Sequence, residues 1–207
     1  MPTLLHIDSS PRGDRSISRK LSRVFAEEWQ RKNLNGKVVY RDLVMTNLPF
    51  VDVQWIGGAY SPPEEHTPEQ SAALRISDDL VAEFLSADEI VLGTPMYNFN
   101  VPANVKAWID HIVRVGKTFE IKDTELKGLV PAGRKATFIV ASGSNFKAGG
   151  PRAHHDHESP YLQAIFNFIG ITDTNVILAG DAKDLSQGKV KEVDFLKPLI
   201  EEVIAAA

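Results

Sequence analysis

Short, nearly continuous apolar runs recur five times along the chain, and turn-forming or polar residues follow each of them. Runs of this kind predict strands that are buried on both faces. The five predicted strands are residues 3–8, 38–40, 89–94, 137–141 and 175–179.

Between these runs, apolar residues recur at spacings of three and four, which is the period of an amphipathic helix. Pro68 suits the first turn of the second helix, and Gly170 is expected to end the fourth. The predicted helices are residues 17–32, 68–85, 101–112, 161–169 and 193–203.

Strand and helix therefore alternate five times, and right-handed crossovers place the helices over both faces of a parallel sheet. Five strands in 207 residues favour a doubly wound sheet in three α/β/α layers over a barrel, which needs about 250 residues. We expect residues 1–207 to form a single α/β domain.

Two connections, residues 45–67 and 116–134, are longer than such connections usually are, and we expect them to be functional or to hold small elements of their own. The first carries Phe50, Trp55 and Tyr60. We expect these aromatic side chains to pack against the core or against another subunit.

The amino-acid composition excludes several kinds of reactive site and several classes of partner. The chain has no cysteine, which excludes disulfides, thiolate zinc sites, iron–sulfur clusters and a cysteine nucleophile. A formal charge of −4 is too mildly acidic to favour nucleic acid or a polybasic membrane anchor. The first residues lack the pattern of a signal peptide, and we expect a cytoplasmic protein with neither nucleic-acid nor membrane partners.

The loop after the first strand is rich in groups that bind anions. They lie around a helix N-terminus, where free N–H groups and the helix dipole favour an anion. The loop has neither a P-loop ending nor a glycine-rich dinucleotide fingerprint, so we expect a terminal phosphate. Helix capping by Ser16 or Ser18 would explain one of the four serines. The polar groups are Ser9, Ser10, Arg12, Arg15, Ser16 and Ser18.

The loop after the third strand contains Pro95, which biases Thr94 away from helix. We expect the backbone amides of Met96 to Phe99 to be exposed at the sheet edge, where they can bind a planar heterocycle. Met96, Tyr97 and Phe99 would supply flat apolar contact. The alternative is a loop in which Asn100 caps the next helix and the aromatic rings fold into the core.

These motifs, with Pro160-Tyr161-Leu162 and the later Phe-Ile-Gly-Ile segment, resemble the FMN-dependent NADH:quinone reductase and azoreductase family over essentially the whole chain. The resemblance implies a flavodoxin-like homodimer with one noncovalent FMN per subunit and active sites at the dimer interface. It also implies hydride transfer from NADH or NADPH through the flavin to quinones or azo compounds. No side chain is then required as a dedicated catalytic acid.

The resemblance assigns residues to three flavin-contacting segments. The third segment departs from the family, since many relatives have Ser-Arg-Gly-Gly there and this chain lacks the arginine. The assigned residues are Ser10, Ser16, Ile17 and Ser18 for the phosphate, Pro95, Met96, Tyr97, Asn98 and Phe99 for the isoalloxazine ring, and Ser142, Gly143, Ser144 and Asn145 for its pyrimidine edge.

Two aromatic residues are candidates for stacking on a flat acceptor. Phe119 lies in the segment that the resemblance places over the flavin, and its alternative role is core packing. Tyr60, like Trp55, is a weaker candidate whose alternative is dimer contact. Residues 154–158, His-His-Asp-His-Glu, lack the spacing of a metal motif, and we expect a polar loop without a metal.

Two other functions remain open. The first is a flavodoxin-type electron carrier with no substrate of its own, which the mild charge and the long loops disfavour. The second is a fold relative that has lost the flavin and binds another phosphate ligand.

Overall fold

A five-stranded parallel sheet forms the centre of the protein, described by a computed structural model of residues 1–207. The strand order is β2-β1-β3-β6-β7, which confirms the predicted doubly wound α/β architecture. Two further strands, β4 and β5, form a separate antiparallel hairpin. The strands are β1 (Thr3–Asp8), β2 (Lys37–Asp42), β3 (Glu89–Pro95), β4 (Phe119–Lys122), β5 (Glu125–Gly128), β6 (Lys135–Ala141) and β7 (Asp173–Ala179).

Helices cover both faces of the sheet. They are α1 (Ile17–Lys32), α2 (Val53–Ala59), α3 (Pro68–Ser86), α4 (Ala103–Ile112), α5 (Glu158–Ile169), α6 (Ala182–Ser186) and α7 (Glu192–Ala206). None of them combines the length and the apolar character needed to span a bilayer.

Neighbouring residues of a strand serve the two faces alternately, because successive side chains point to opposite sides. In β1, Leu4 belongs to the apolar cluster that contains residues of α1 and α7, whereas Leu5 belongs to the cluster that contains residues of α3, α4 and α5. In β3, Ile90 and Val91 divide in the same way. The core is therefore two apolar layers separated by the sheet, which is why the strands carry nearly continuous apolar runs.

Local signals fix the helix ends. The Ser16 hydroxyl accepts the Arg19 N–H and caps α1, so the capping role considered for this serine is present. Thr67 and Gln70 form a capping box on either side of Pro68 at the start of α3. Gly170, at φ +112°, ends α5 in the left-handed conformation.

Both long connections hold elements that the apolar pattern did not resolve. The first contains α2, and it buries Trp55 against Leu74 of α3, but Phe50 and Tyr60 remain 80% and 66% exposed. The second contains the β4–β5 hairpin. The pattern also missed α6, and α5 begins at Glu158, three residues before the predicted start.

We predict that Phe166→Ala lowers the free energy of unfolding by about 3–5 kcal/mol, because it opens a cavity in a fully buried aromatic cluster. The Phe166 ring lies 4.8 Å from Phe138, 5.9 Å from Phe84 and 6.4 Å from Trp108, centroid to centroid. Chemical denaturation measures the effect. Leu34→Ala, at an 84% exposed position, is the control and should change stability by less than about 0.5 kcal/mol.

Candidate active site

A cleft of about 240 Å³ opens at the carboxyl edge of the sheet. Its walls come from the loops that follow β1, β3, β6 and β7, which meet there because the strands are parallel. The lining residues are Ser10, Arg12, Ser16, Ile17, Pro95, Met96, Tyr97, Ala141, Ser142, Gly143, Ala182, Lys183 and Ser186. The cleft thus contains members of all three segments that the sequence assigned to a ligand.

The loop after β1 presents hydroxyls at the N-terminus of α1. Ser10, Ser16 and Ser18 are each at most 3% exposed, and the Ser16 and Ser18 hydroxyl oxygens lie 3.1 Å apart. The first N–H groups of a helix have no acceptor within it. Of these N–H groups, Ser16 accepts that of Arg19. The N–H groups of Ile17 and Ser18 have no acceptor in the protein, so they can bind an anion. Ser9 has a different role, because its N–H and hydroxyl both donate to the Gly93 carbonyl.

A buried guanidinium fixes this loop to the sheet. Arg19 Nε donates to the Ser10 carbonyl at 2.7 Å, and its two terminal nitrogens donate to Asp42 at 2.8 and 2.7 Å. The hydrogen bonds to Asp42, opposed by burial, raise the pKa of Arg19. Burial acts to raise the pKa of Asp42, but hydrogen bonds from Arg19 and the Val44 N–H hold it below its ordinary value. The pair therefore stays ionised and holds the Ser10 carbonyl in place.

Asp8, at the end of β1, extends this network. It accepts hydrogen bonds from Ser22 at 2.7 Å and from Tyr40 at 3.1 Å, and Arg19 lies 3.7 Å away. Sequence reasoning missed Arg19, because its position falls off the apolar stripe of Ile17, Leu21, Val24 and Phe25 and no local pattern marks it as buried.

The loop after β3 corrects one detail of the sequence prediction. The amides of Met96 and Tyr97 are not available, because they donate to the Ala141 and Asn100 carbonyls. The amides of Asn98 and Phe99 donate to no protein acceptor. These two residues have φ of +51° and +70°, and their N–H groups are free in an exposed turn just beyond the residues that line the cleft.

The alternative for this loop, with Asn100 as helix cap and the rings in the core, does not describe the structure. Pro102 is the N-cap residue of α4. The Tyr97 and Phe99 side chains are 43% and 46% exposed. An exposed ring beside free amides is suited to a planar, hydrogen-bonding ligand.

Two hydrogen bonds hold the loop after β6, one within the loop and one from Arg152. The Ser142 hydroxyl donates to the Ser144 carbonyl at 2.8 Å, and Arg152 donates to the Ser144 hydroxyl at 2.8 Å. Gly143 lines the cleft, and a side chain there would meet no atom within 4 Å. Asn145 does not line the cleft, and its side chain accepts the Lys147 N–H.

Two cations line the cleft beside the serines. Neither Arg12 nor Lys183 forms an ion pair, so both are available to an anion. Sequence reasoning counted Arg12 among the anion-binding groups but missed Lys183 and Ser186. No signal near them marked α6, which reaches the cleft through the pairing of β7 with β6 and through N–H groups of Ala182 and Lys183 that donate to the Ser142 and Gly143 carbonyls.

The predicted acceptor-stacking residues lie outside this cleft. Phe119 is 7% exposed and packs against Phe168 at 5.0 Å between centroids, so within the protomer it is a packing residue. Tyr60 is exposed and lines a second cavity of about 550 Å³ beside Arg114 and Gly116. Contact of either ring with an acceptor stays a prediction.

The histidine-rich stretch lies over the candidate ligand loops. The His155 ring stacks on Phe99 with 4.9 Å between centroids and 21° between planes. The His154 ring lies 4.0 Å from the His155 ring, centroid to centroid. The structure brings together no three His, Asp or Glu side chains that could hold a metal ion.

A buried carboxyl lies beneath the loop after β3. Glu158 is fully buried, and its Oε1 accepts the Thr94 hydroxyl at 2.9 Å. Its Oε2 has no hydrogen-bond partner. Burial raises the pKa of Glu158 to about 9, so this side chain is neutral at pH 7 and can hold Thr94 without an uncompensated charge.

Taken together, these groups fit a phosphorylated planar heterocycle. The serine loop and the two cations suit the phosphate. The free amides of Asn98 and Phe99 suit the polar edge of the ring, and the exposed aromatic side chains suit its face.

Comparison with known proteins agrees with this geometry. The family described as having a flavodoxin-like fold matches residues 2–194. The chain is 46% identical over 207 residues, covering 100% of this chain and 97% of the relative, to FMN-dependent NADH:quinone oxidoreductase 8 of Burkholderia lata. It is 45% identical over 205 residues, covering 99% of both chains, to FMN-dependent NADH:quinone oxidoreductase 2 of Trichormus variabilis.

Solved structures give the same picture. An azoreductase from Bacillus anthracis strain Sterne has a TM-score of 0.88 at 26% identity, covering 100% of this chain and 98% of that one. An FMN-dependent NADH-azoreductase from the Ames Ancestor strain, in complex with FMN, has a TM-score of 0.85 at 26% identity, with coverage of 100% and 97%.

We predict that Glu158→Gln makes stability less dependent on pH. The pKa of Glu158 is raised from 4.5 to about 9 in the folded protein, so between these values the folded state binds a proton that the unfolded state has lost. The free energy of unfolding therefore falls as pH rises through this window. From pH 5 to pH 8, the wild type should lose about 4 kcal/mol more than the variant.

Denaturation at the two pH values measures the difference. Glu201→Gln, at an exposed position of α7, is the control and should keep the wild-type dependence. An equal dependence in Glu158→Gln and the wild type would show that Glu158 is ionised in the folded protein.

Proposed function

The chain belongs to the family of FMN-dependent NADH:quinone oxidoreductases with a flavodoxin-like fold, and from this premise we propose its reaction. The protein is an FMN-dependent oxidoreductase that uses NADH or NADPH to reduce quinones to hydroquinones and to cleave aromatic azo compounds to amines. One observation carries the proposal: the serine-lined anion site and the start of the loop after β3, at Met96 and Tyr97, line one cleft, and the next two residues of that loop have free amides.

The chain's residues bind and orient the cofactor. Ser10, Ser16 and Ser18, with the first amides of α1, would hold the phosphate. Asn98 and Phe99 would donate their N–H groups to the polar edge of the ring, and the loop that contains Ser142 would border its pyrimidine side. The chemistry supplied by FMN when bound is two-electron hydride transfer from the nicotinamide, once for each quinone reduced and twice for each azo compound cleaved to amines.

The protein's part in the reaction is positioning. With the exposed rings of Tyr97 and Phe99 against the flavin, the open face of the flavin would suit a nicotinamide and an aromatic acceptor equally. Since a single slot of this shape accepts one flat ligand at a time, donor and acceptor enter in turn, and the kinetics are ping-pong.

We include a homodimer with active sites at the interface in the proposal. The first long connection exposes several large apolar side chains, and the tip of the β4–β5 hairpin exposes Ile121 and Leu126 as a cross-strand pair. Exposed apolar surface of this extent is typical of interaction sites. The exposed residues of the first connection are Met45, Phe50, Val53, Ile56 and Tyr60.

The proposal also places the enzyme in the cytoplasm. The electron-carrier alternative is less well supported, because a carrier needs no slot for a small acceptor and usually presents a strongly charged docking face. A formal charge of −4 over 207 residues provides little such steering.

We predict that the double substitution Ser16→Ala, Ser18→Ala weakens FMN binding, because each lost hydrogen bond to a charged phosphate oxygen contributes about 1.5–3 kcal/mol. Quenching of flavin fluorescence during titration of the FMN-free protein measures the affinity. Riboflavin, which lacks the phosphate, is the matched control ligand and should bind the variant and the wild type equally.

Ser16 also caps α1, so the variant should lose about 1 kcal/mol of stability as well. An unchanged FMN affinity together with this loss would leave the two serines with a structural role only.

We predict that the FMN-loaded protein oxidises NADH when a simple benzoquinone is added, with parallel lines in double-reciprocal plots at several fixed quinone concentrations. Intersecting lines would reject alternate binding in one slot. Absence of quinone-dependent NADH oxidation would favour the carrier, and a colourless protein that does not bind added FMN would exclude both flavin functions.

A further inference from the structure

One short segment outside the cleft contacts both of the loops that border the predicted ring site. We call residues 152–158 the strap. At its start Arg152 donates to the Ser144 hydroxyl, and at its end Glu158 accepts the Thr94 hydroxyl. Between them, the His157 N–H donates to the Phe99 carbonyl at 3.0 Å. The strap therefore links the loops after β3 and β6.

The loop that the strap holds is conformationally costly. Asn98 and Phe99 both occupy the left-handed region, at φ +51° and +70°, which is unfavourable for residues other than glycine. Two hydrogen bonds between Tyr97 and Asn100 close the turn, but they leave the Phe99 side chain nearly half exposed. Contacts from outside the turn must therefore fix the direction of this ring.

Two side chains make those contacts. The His155 ring lies on the face of Phe99, with 21° between the planes. Phe146 meets Phe99 edge-on, with 6.0 Å between centroids and 78° between planes. An imidazole stacked on one face and a benzene ring at the edge leave Phe99 a single orientation. The backbone of Phe99, whose N–H is free, is held in place together with the ring.

The geometry also distinguishes His155 from the other histidines of the strap. His154 contacts the His155 ring and is exposed. His157 acts through its backbone N–H, which any residue except proline would supply. Of the three histidines, only His155 contacts Phe99 through its side chain.

We propose that His155 is a positioning residue for the flavin, which holds Phe99 so that the amides of Asn98 and Phe99 face the ring. This inference rests on the proposed function, since it requires a flavin in the cleft. The residue acts through Phe99, and no contact of its own with the cofactor is required. Its loss should affect the ring portion of the ligand and leave phosphate recognition unchanged.

The first test is the affinity of the full-length, FMN-free protein for FMN and for riboflavin. His155→Ala should weaken both ligands by the same factor, about fivefold for one lost aromatic pair. It should also change the visible circular dichroism of the bound flavin, which reports the asymmetry of the ring's surroundings. His155→Phe, which preserves the stack, should retain the wild-type affinity and spectrum, and His154→Ala is the matched control from the same segment.

The second test separates an effect through Phe99 from a general loss of order. In a Phe99→Gly background, which tolerates the left-handed backbone but removes the ring, His155→Ala should have no further effect on either affinity. An undiminished effect in that background would overturn the proposal.

Other outcomes are equally decisive. Wild-type affinity and spectrum in His155→Ala would also overturn the proposal, as would a defect of equal size in His155→Phe. Failure of the wild-type protein to bind FMN would instead reject the proposed function, so the two failures are distinguishable.

Discussion

All five strands of the central sheet run in the same direction, and the cleft exists because of this constraint. Parallel pairing brings the carboxyl ends of β1, β3, β6 and β7 to one edge, so segments far apart in sequence become neighbours. The registers are continuous from β1 through β3 to β7. A shift in any of them would displace one wall of the cleft relative to the others.

Loops that must present polar groups to a ligand cannot satisfy those groups within themselves, and buried side chains behind them compensate. Arg19 and Asp42 hold the Ser10 carbonyl from below the first loop. Glu158 does the same for Thr94 below the second. The two devices differ in charge, since the arginine pair is ionised and the glutamate is neutral at pH 7. Arg19, paired with Asp42, and Glu158 are each buried and hydrogen-bonded beneath an exposed loop. The amides and hydroxyls of that loop are therefore held in place before a ligand binds.

Family membership and the features of this chain answer different questions. The relatives' names and structures indicate the cofactor and the reaction class. They leave open how this chain holds its loops. The contacts of the strap describe how this is done here. The strap brings a guanidinium to Ser144 from residue 152, beside a loop whose own sequence, Ser-Gly-Ser-Asn, has no cation.

The sequence by itself determined the five strands of the central sheet, the main helices and the sheet class, and it predicted the two candidate ligand loops. Each of these is encoded locally: apolar runs mark buried strands, Pro68 marks the start of α3, and hydroxyls at a helix start predict an anion site. Only the tertiary structure decided that the Met96 and Tyr97 amides are already bonded, that Phe119 is buried, and that Lys183 reaches the cleft. It also decided that His155 lies on Phe99. These facts depend on which distant segments the sheet brings together, and the properties of a single segment do not encode its neighbours.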